Sequence, residues 1–285
     1  MNQERRGRFM KQALQSVFRV LLLLLLATVA MAAPAQAQDA EAVIDKAMTG
    51  SHRPEANKAR DKYRHPKETL LFFGLRPNMT VVEITPGAGW YTEILAPVMR
   101  GGSYYAALAR ITEQSSDSQR ANDKTFRAKL SGDADLYGKV QLSVFEPNAI
   151  QVAPAGSADM VLTFRNVHNW AKAGTADAMF KAFYDALKSG GVLGVVEHRA
   201  KPGTTFERQI DSGYMTEVYV TETAQKAGFK LDNKSEINAN PRDTSDYPGG
   251  VWTLLPTLRN VDDADKPKYL AIGESDRMTL KFVKP

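Results

Sequence analysis

The segment Val81-Val82-Glu83-Ile84-Thr85-Pro86-Gly87-Ala88-Gly89-Trp90-Tyr91-Thr92 constrains the fold of this chain more than any other. An apolar strand ends beside the acid Glu83, a turn carrying Gly87 and Gly89 follows, and a helix begins. Backbone without Cβ atoms can come close to a ligand at such a turn, and the first N–H groups of the helix are free to face it. A unit of this kind belongs to an open sheet in which ligands sit at the carboxyl ends of parallel strands. The plainer reading is that the two glycines only permit a tight turn.

The remainder of the chain fits such a sheet. Short β-rich runs are predicted at Thr80 to Ile84, Ser103 to Ala107, Lys139 to Val144, Asp159 to Phe164, Val192 to His198, Phe229 to Ile237 and Met278 to Val283. Helical patterns separate most of them: Pro66 to Phe73, Tyr91 to about Ala96, Glu113 to Leu130, Ala176 to Leu187 and Thr216 to Ala227. This alternation predicts an α/β fold with a doubly wound, mostly parallel seven-stranded sheet. The stretch Asn238 to Lys268 has four prolines and no helical pattern, so the last strand is expected to enter antiparallel. A polar, helical lead-in occupies about 40–75.

Residues 1–37 read as a signal peptide. Arg5, Arg6, Arg8, Lys11 and Arg19 precede or begin an uncharged run of fourteen residues, Val20 to Ala33, and Ala35-Gln36-Ala37 offers a small-residue cleavage site. The apolar run is short for a membrane span, although an uncleaved anchor is the alternative. Export to a bacterial periplasm or beyond is therefore expected, leaving a single domain, 38–285, with no stable membrane span. That division also explains the charge. The whole chain has 37 basic and 32 acidic residues, but the segment to be removed holds five of the former and one of the latter, leaving 32 against 31. Nothing in that balance calls for a polyanionic partner, and no basic stripe interleaved with aromatics suggests nucleic acid. Zero cysteines exclude disulfides, thiolate metal sites and a cysteine nucleophile. There is no H-E-x-x-H or G-x-S-x-G motif, and Asp262-Asp263-Ala264-Asp265 lacks the glycine and distal Glu of a calcium loop, so no metal is expected.

The run from Glu83 to Gly89 resembles motif I of class I S-adenosylmethionine-dependent methyltransferases, with Thr85 in place of the first glycine. Ala158-Asp159-Met160-Val161-Leu162, Leu187-Lys188-Ser189-Gly190-Gly191-Val192-Leu193 and Ala227-Gly228-Phe229 resemble that family's later motifs in the same order. The tail from Gly273 to Pro285 is similar to that of an exported group of methyltransferase-like proteins. The resemblance implies S-adenosylmethionine as cofactor and a small-molecule acceptor. It places Glu83, Thr85, Gly87 and Gly89 at the cofactor's amino-acid end. Phe145 and Glu146 then fall near its adenine, though a Glu before Pro147 is as often simply solvated. One departure stands out: Tyr104-Tyr105-Ala106-Ala107-Leu108-Ala109 lacks the acid that holds a ribose in such folds.

Candidate catalytic groups follow the fourth strand in Arg165-Asn166-Val167-His168-Asn169-Trp170. His168 can take a proton from a hydroxyl or amine at neutral pH, or it can merely fix the loop. His198 ends the fifth strand and is the weaker candidate. Arg165 and Asn166 suit an anionic or carbonyl-bearing substrate. Trp90, Tyr91 and Trp170 are expected near the cleft, where aromatic faces attract a sulfonium, unless they serve packing alone. Two readings follow: a methyltransferase, or an exported ligand-binding protein on a methyltransferase scaffold without catalysis.

Overall fold

The computed structural model describes residues 40–146 and 149–285. The expected targeting segment, residues 1–37, lies outside them. Seven strands form one sheet: β1 (Thr80–Ile84), β2 (Ser103–Ala109), β3 (Val140–Phe145), β4 (Ala158–Phe164), β5 (Leu187–His198), β6 (Lys230–Ser235) and β7 (Arg277–Val283). Their order across the sheet is β3-β2-β1-β4-β5-β7-β6. Strands β1 to β5 pair in parallel, and β7 runs antiparallel between β5 and β6. This is the doubly wound α/β sheet with an antiparallel final strand that the alternation of elements predicts.

The central strands read as continuous apolar runs because both of their faces are covered. Val82, Ile84, Val161, Leu193 and Val195 pack on one side with Phe180 and Phe183 of the helix Ala176–Ala186. Val81, Met160, Leu162 and Val196 pack on the other with Ile94, Phe126 and Phe73. Phe73 ends the helix Pro66–Phe73 and sits so close to β5 that a Cβ at Gly194 would lie 2.7 Å from its ring.

The lead-in consists of the helix 40–49 and the short helices Glu55–Lys58 and Asp61–Arg64. Polar contacts hold it down. Arg53 forms a two-pronged pair with Asp61 at 2.7 and 2.8 Å. The buried carboxylate of Glu93, on the helix Thr92–Val98, accepts from Asn57 at 2.9 Å and pairs with Lys129.

Two expectations need correction. His168 does not lie in a loop but in the first turn of a helix, Val167–Lys172. The stretch from Asn238 is also less irregular than its prolines suggest: a 3-10 turn forms at Gly250–Thr253, and Pro267 starts the helix Lys266–Ile272, a position that tolerates its missing N–H. Among the described residues no helix is long and apolar enough to cross a membrane.

Phe73 is fully buried where the lead-in meets the sheet. Phe73→Ala should therefore lower stability by about 3–5 kcal/mol in urea unfolding, the usual cost of deleting a core phenyl group. A change below about 1 kcal/mol would show that the lead-in is not coupled to the sheet.

Candidate functional site

The chain runs outward from β1 through β2 to β3 and then returns to start β4 on the other side of β1. The loops after β1 and β4 consequently diverge, which opens a crevice at the carboxyl ends of these strands. A cleft of about 500 Å³ lies there. Pro86, Gly87, Ala88 and Trp90 line it from the β1 turn, and Arg165 and His168 from the end of β4. The lead-in adds Asn57, Arg60 and Arg64, while His198 and Arg277 come from β5 and β7. The segment containing Trp252, Leu255 and Pro256 closes another wall.

The β1 turn is built on positive backbone angles: Thr85 at φ 50°, Gly87 at 61° and Gly89 at 82°. Glycine suits the last two without strain. A Cβ at Gly87 would meet nothing within 4 Å, so its backbone lies open, whereas one at Gly89 would lie 3.0 Å from the Phe126 ring. Gly87 is thus the glycine that faces the cleft, and Gly89 is a packing glycine. Thr85 does not line the cleft; its N–H donates to the Ala107 carbonyl at 2.8 Å.

Glu83 sits behind the turn. Its carboxylate accepts from Thr92 Oγ1 at 2.8 Å and from the Tyr104 hydroxyl, and only 2% of the residue is exposed. Burial pushes its pKa up to about 7 despite those two donors. Tyr91 is likewise buried, stacked on Phe164 with ring centroids 3.5 Å apart. Glu146 is half-buried just past the end of β3, where it pairs with Arg110 just beyond β2. Trp170 does not join Trp90 near the cleft. His168 and Trp170 are two positions apart on a helix, so they point to opposite sides, and Trp170 packs on Phe183 in the core.

Beyond β4 the roles separate. Asn166 is a clasp: its Nδ2 donates to the Ile84 carbonyl at 3.0 Å and to Thr163 Oγ1 at 3.1 Å, tying β1 to β4. Arg165 adopts φ 62° and presents its side chain to the cleft. His168 Nδ1 lies 3.0 Å from Glu197 Oε1, and its backbone N–H donates to the other oxygen of the same carboxylate at 3.3 Å. Glu197 is fully buried at the end of β5. It fixes the imidazole and sets its tautomer, and among the described residues Nε2 is the ring nitrogen left without a partner. Next to it, His198 Nδ1 lies 2.6 Å from Ser275 Oγ. Burial, then His168, Arg277 and Arg165, push the His198 pKa well below its ordinary value, so this imidazole is neutral.

His168, Glu197 and His198 each place a potential ligand atom within 4.8 Å of the others, a donor set that could hold a metal ion. Glu197 is already engaged with three donors, and Arg165 and Arg277 act electrostatically on His198, so a dication would meet repulsion here. The set suits proton transfer better.

Glu197, Glu274, Arg60, Arg64, Arg277 and Trp252 were not anticipated as site residues. Arg60 and Arg64 did carry a signal, since four-residue spacing puts both on one face of a helical turn. No family model and no curated protein matches the chain by sequence. Its fold does match solved structures. An S-adenosylmethionine-dependent methyltransferase from Aquifex aeolicus superimposes with a TM-score of 0.52 at 16% identity, over 80% of this chain and 93% of that one. Geranyl diphosphate C-methyltransferase from Streptomyces coelicolor gives 0.55 at 14% identity, over 84% and 87%. The cyclase SpnF gives 0.53 at 15% identity, over 78% and 80%. The shared property is the fold.

Glu83 provides a test of the buried turn. The folded chain keeps a proton on it that the unfolded chain releases between about pH 4.5 and 7, so this group favours folding below that window and costs stability as pH rises through it. Between pH 5 and 8, the unaltered protein should lose about 2–3 kcal/mol more than Glu83→Gln in urea unfolding. Equal losses would show that Glu83 is ionised throughout.

Proposed function

We propose that this chain is a methyltransferase that uses S-adenosylmethionine and acts on a small-molecule acceptor. The observation that carries this reading is that one cleft at the β1/β4 switch point joins the open backbone of Gly87 to the His168–Glu197 pair. The residues fit the cofactor's amino-acid end: the Gly87 backbone is unobstructed, and the Asn57 and Asn122 side chains line the same cleft. When bound, the cofactor supplies an electrophilic methyl group on a sulfonium. The chain supplies position and proton removal. His168 Nε2 accepts the proton of the attacking hydroxyl or amine, and Glu197 stabilises the imidazolium that forms on the Nδ1 side. His198, neutral and held by Ser275, adds no competing charge beside it. Arg165 orients the acceptor, Trp90 supplies an apolar wall, and Asn166 keeps the two strand ends in register.

A second reading, an exported ligand-binding protein on the same scaffold, is favoured by the enclosure of Glu83 and by the engagement of Glu146 with Arg110. Calorimetric titration of the full chain with S-adenosylmethionine and S-adenosylhomocysteine separates the two. The enzyme reading expects binding of both. No heat or thermal shift at millimolar ligand would overturn it. His168→Ala should leave the affinity for S-adenosylhomocysteine unchanged and slow methyl transfer, assayed on a panel of small hydroxyl and amine acceptors, by about 10²–10⁴-fold. Glu197→Gln should shift the pH–rate profile, whereas a purely structural role would leave that profile in place.

We further propose that residues 1–37 direct export and are removed, on the basis of their basic, apolar and small-residue regions. Mass spectrometry of the exported protein should find a chain beginning near Gln38. A cytoplasmic chain retaining Met1 or Met10 would overturn this.

A further inference from the structure

The most unusual feature of the cleft is its charge. Arg60, Arg64, Arg165 and Arg277 all line it, and one carboxylate, Glu274, pairs with three of them. Glu274 Oε1 accepts from Arg60 Nε at 2.6 Å, and Oε2 accepts from Arg64 Nε at 3.0 Å and from a terminal nitrogen of Arg277. Arg277 gives its other terminal nitrogen to the Tyr63 carbonyl at 3.0 Å. Arg60 and Arg64 thus commit only Nε. Among the described residues, their terminal nitrogens have no hydrogen-bond partner, and Arg165 has none for any of its side-chain nitrogens. A terminal nitrogen of Arg60 and the Nε of Arg277 are buried without a partner.

Four guanidinium groups against Glu274, with the Glu197 carboxylate already engaged by His168, leave an excess of positive charge in a region where Arg64, Arg277 and Glu274 are almost wholly buried. Uncompensated charge away from water is expensive. Burial, with Arg277 next, pushes Arg165 down to about 10, and burial, with Arg165 next, pushes Arg64 well below its ordinary value. Guanidinium groups do not lose their protons in proteins, so these depressions register burial and the repulsion of neighbouring arginines, which Glu274 only partly offsets. Arg60, Arg64 and Arg277 are held in place before any ligand arrives. The Arg64 guanidinium lies 4.6 Å from the centre of the Trp90 ring, and the Trp90 indole N–H donates to the Asn57 carbonyl at 3.1 Å.

We propose that this cluster is an oxyanion receptor, and that the small-molecule acceptor carries a carboxylate or phosphate group held by Arg60, Arg64 and Arg165. The planar fork of arginine matches both groups through paired N–H donors. His168 lines the same cleft, so an acceptor anchored through its anion can present a hydroxyl or amine to Nε2. The receptor also offsets the repulsion that a sulfonium would meet among four arginines. This assignment of the acceptor rests on the methyltransferase reading; the oxyanion receptor itself does not.

Inorganic phosphate is the probe, titrated into the full chain by calorimetry at constant ionic strength set with chloride. Phosphate should bind, and Arg165→Gln should weaken it by roughly ten- to hundred-fold. Arg165→Lys should recover part of the loss. Arg165 is chosen because no ion pair ties it to the fold, and an unchanged unfolding midpoint would confirm that each variant is folded. No phosphate binding, or binding indifferent to Arg165, overturns the receptor. With saturating S-adenosylhomocysteine present, phosphate should still bind. Mutual exclusion would mean that the arginines take the cofactor's own carboxylate, and this overturns the assignment to the acceptor. Arg165-dependent phosphate binding without any S-adenosylhomocysteine binding would uphold the receptor and remove methyl transfer.

Discussion

The cleft depends on the Glu274 carboxylate. It joins Arg60 and Arg64 of the lead-in to Arg277 at the start of β7, partners separated by 214, 210 and 3 positions in the chain. Against the upward push of burial, Arg277, Arg64 and Arg60 hold its pKa far below the usual carboxylate range, so it is ionised at neutral pH. A lone buried arginine would be unfavourable here, and so would a lone buried glutamate. Together they fasten the N-terminal helices over the carboxyl edge of the sheet. Without that attachment, β1 and β4 would end in an open groove, and Trp90 would lose the nearer of the two guanidinium groups over its ring.

A second buried carboxylate works at smaller scale. Glu197 is the hub for His168, for the backbone N–H of His168 and for the backbone N–H of His198. One residue therefore positions both imidazoles and keeps their roles distinct: His168 is bonded to an anion and His198 to a hydroxyl. A pair of titratable groups placed in unlike surroundings is how one site assigns base and bystander. Glu83, the third buried acid near the cleft, has the opposite environment. Neutral hydroxyls face it rather than cations, and its pKa rises where that of Glu274 falls.

Much of the fold was legible in the sequence, and the reason is local. Strand and helix limits follow from apolar periodicity, and β1 and the helix Pro66–Phe73 occupy the predicted residues because turn residues such as Gly74 bound them sharply. Gly87, Trp90, Arg165 and His168 were placed near the cleft because they directly follow strands whose ends define it. What stayed hidden has long sequence separation or depends on orientation within a short helix. Trp170 was misplaced because the six-residue helix Val167–Lys172 has too few positions to show a period, and that period decides which side faces the core. Glu274 was visible only as part of a family-like tail. No pattern in one sequence joins it to Arg60 and Arg64.

The same separation explains why composition misleads about charge. Once residues 1–37 are set aside, the chain is nearly neutral, with 32 basic residues against 31 acidic ones, and this balance gave no reason to expect an anionic ligand. Balance over a whole chain says nothing about a cavity about 500 Å³ in volume. The surface pairs Lys181 with Asp185, Lys226 with Asp177 and Arg127 with Asp123 in water, where such pairing contributes little. Those acids lie outside the cleft, and three of the four arginines that line it share a single carboxylate. A neutral sum can therefore conceal a strong local field, and ligand chemistry follows that field because screening confines the rest to a distance of about 10 Å.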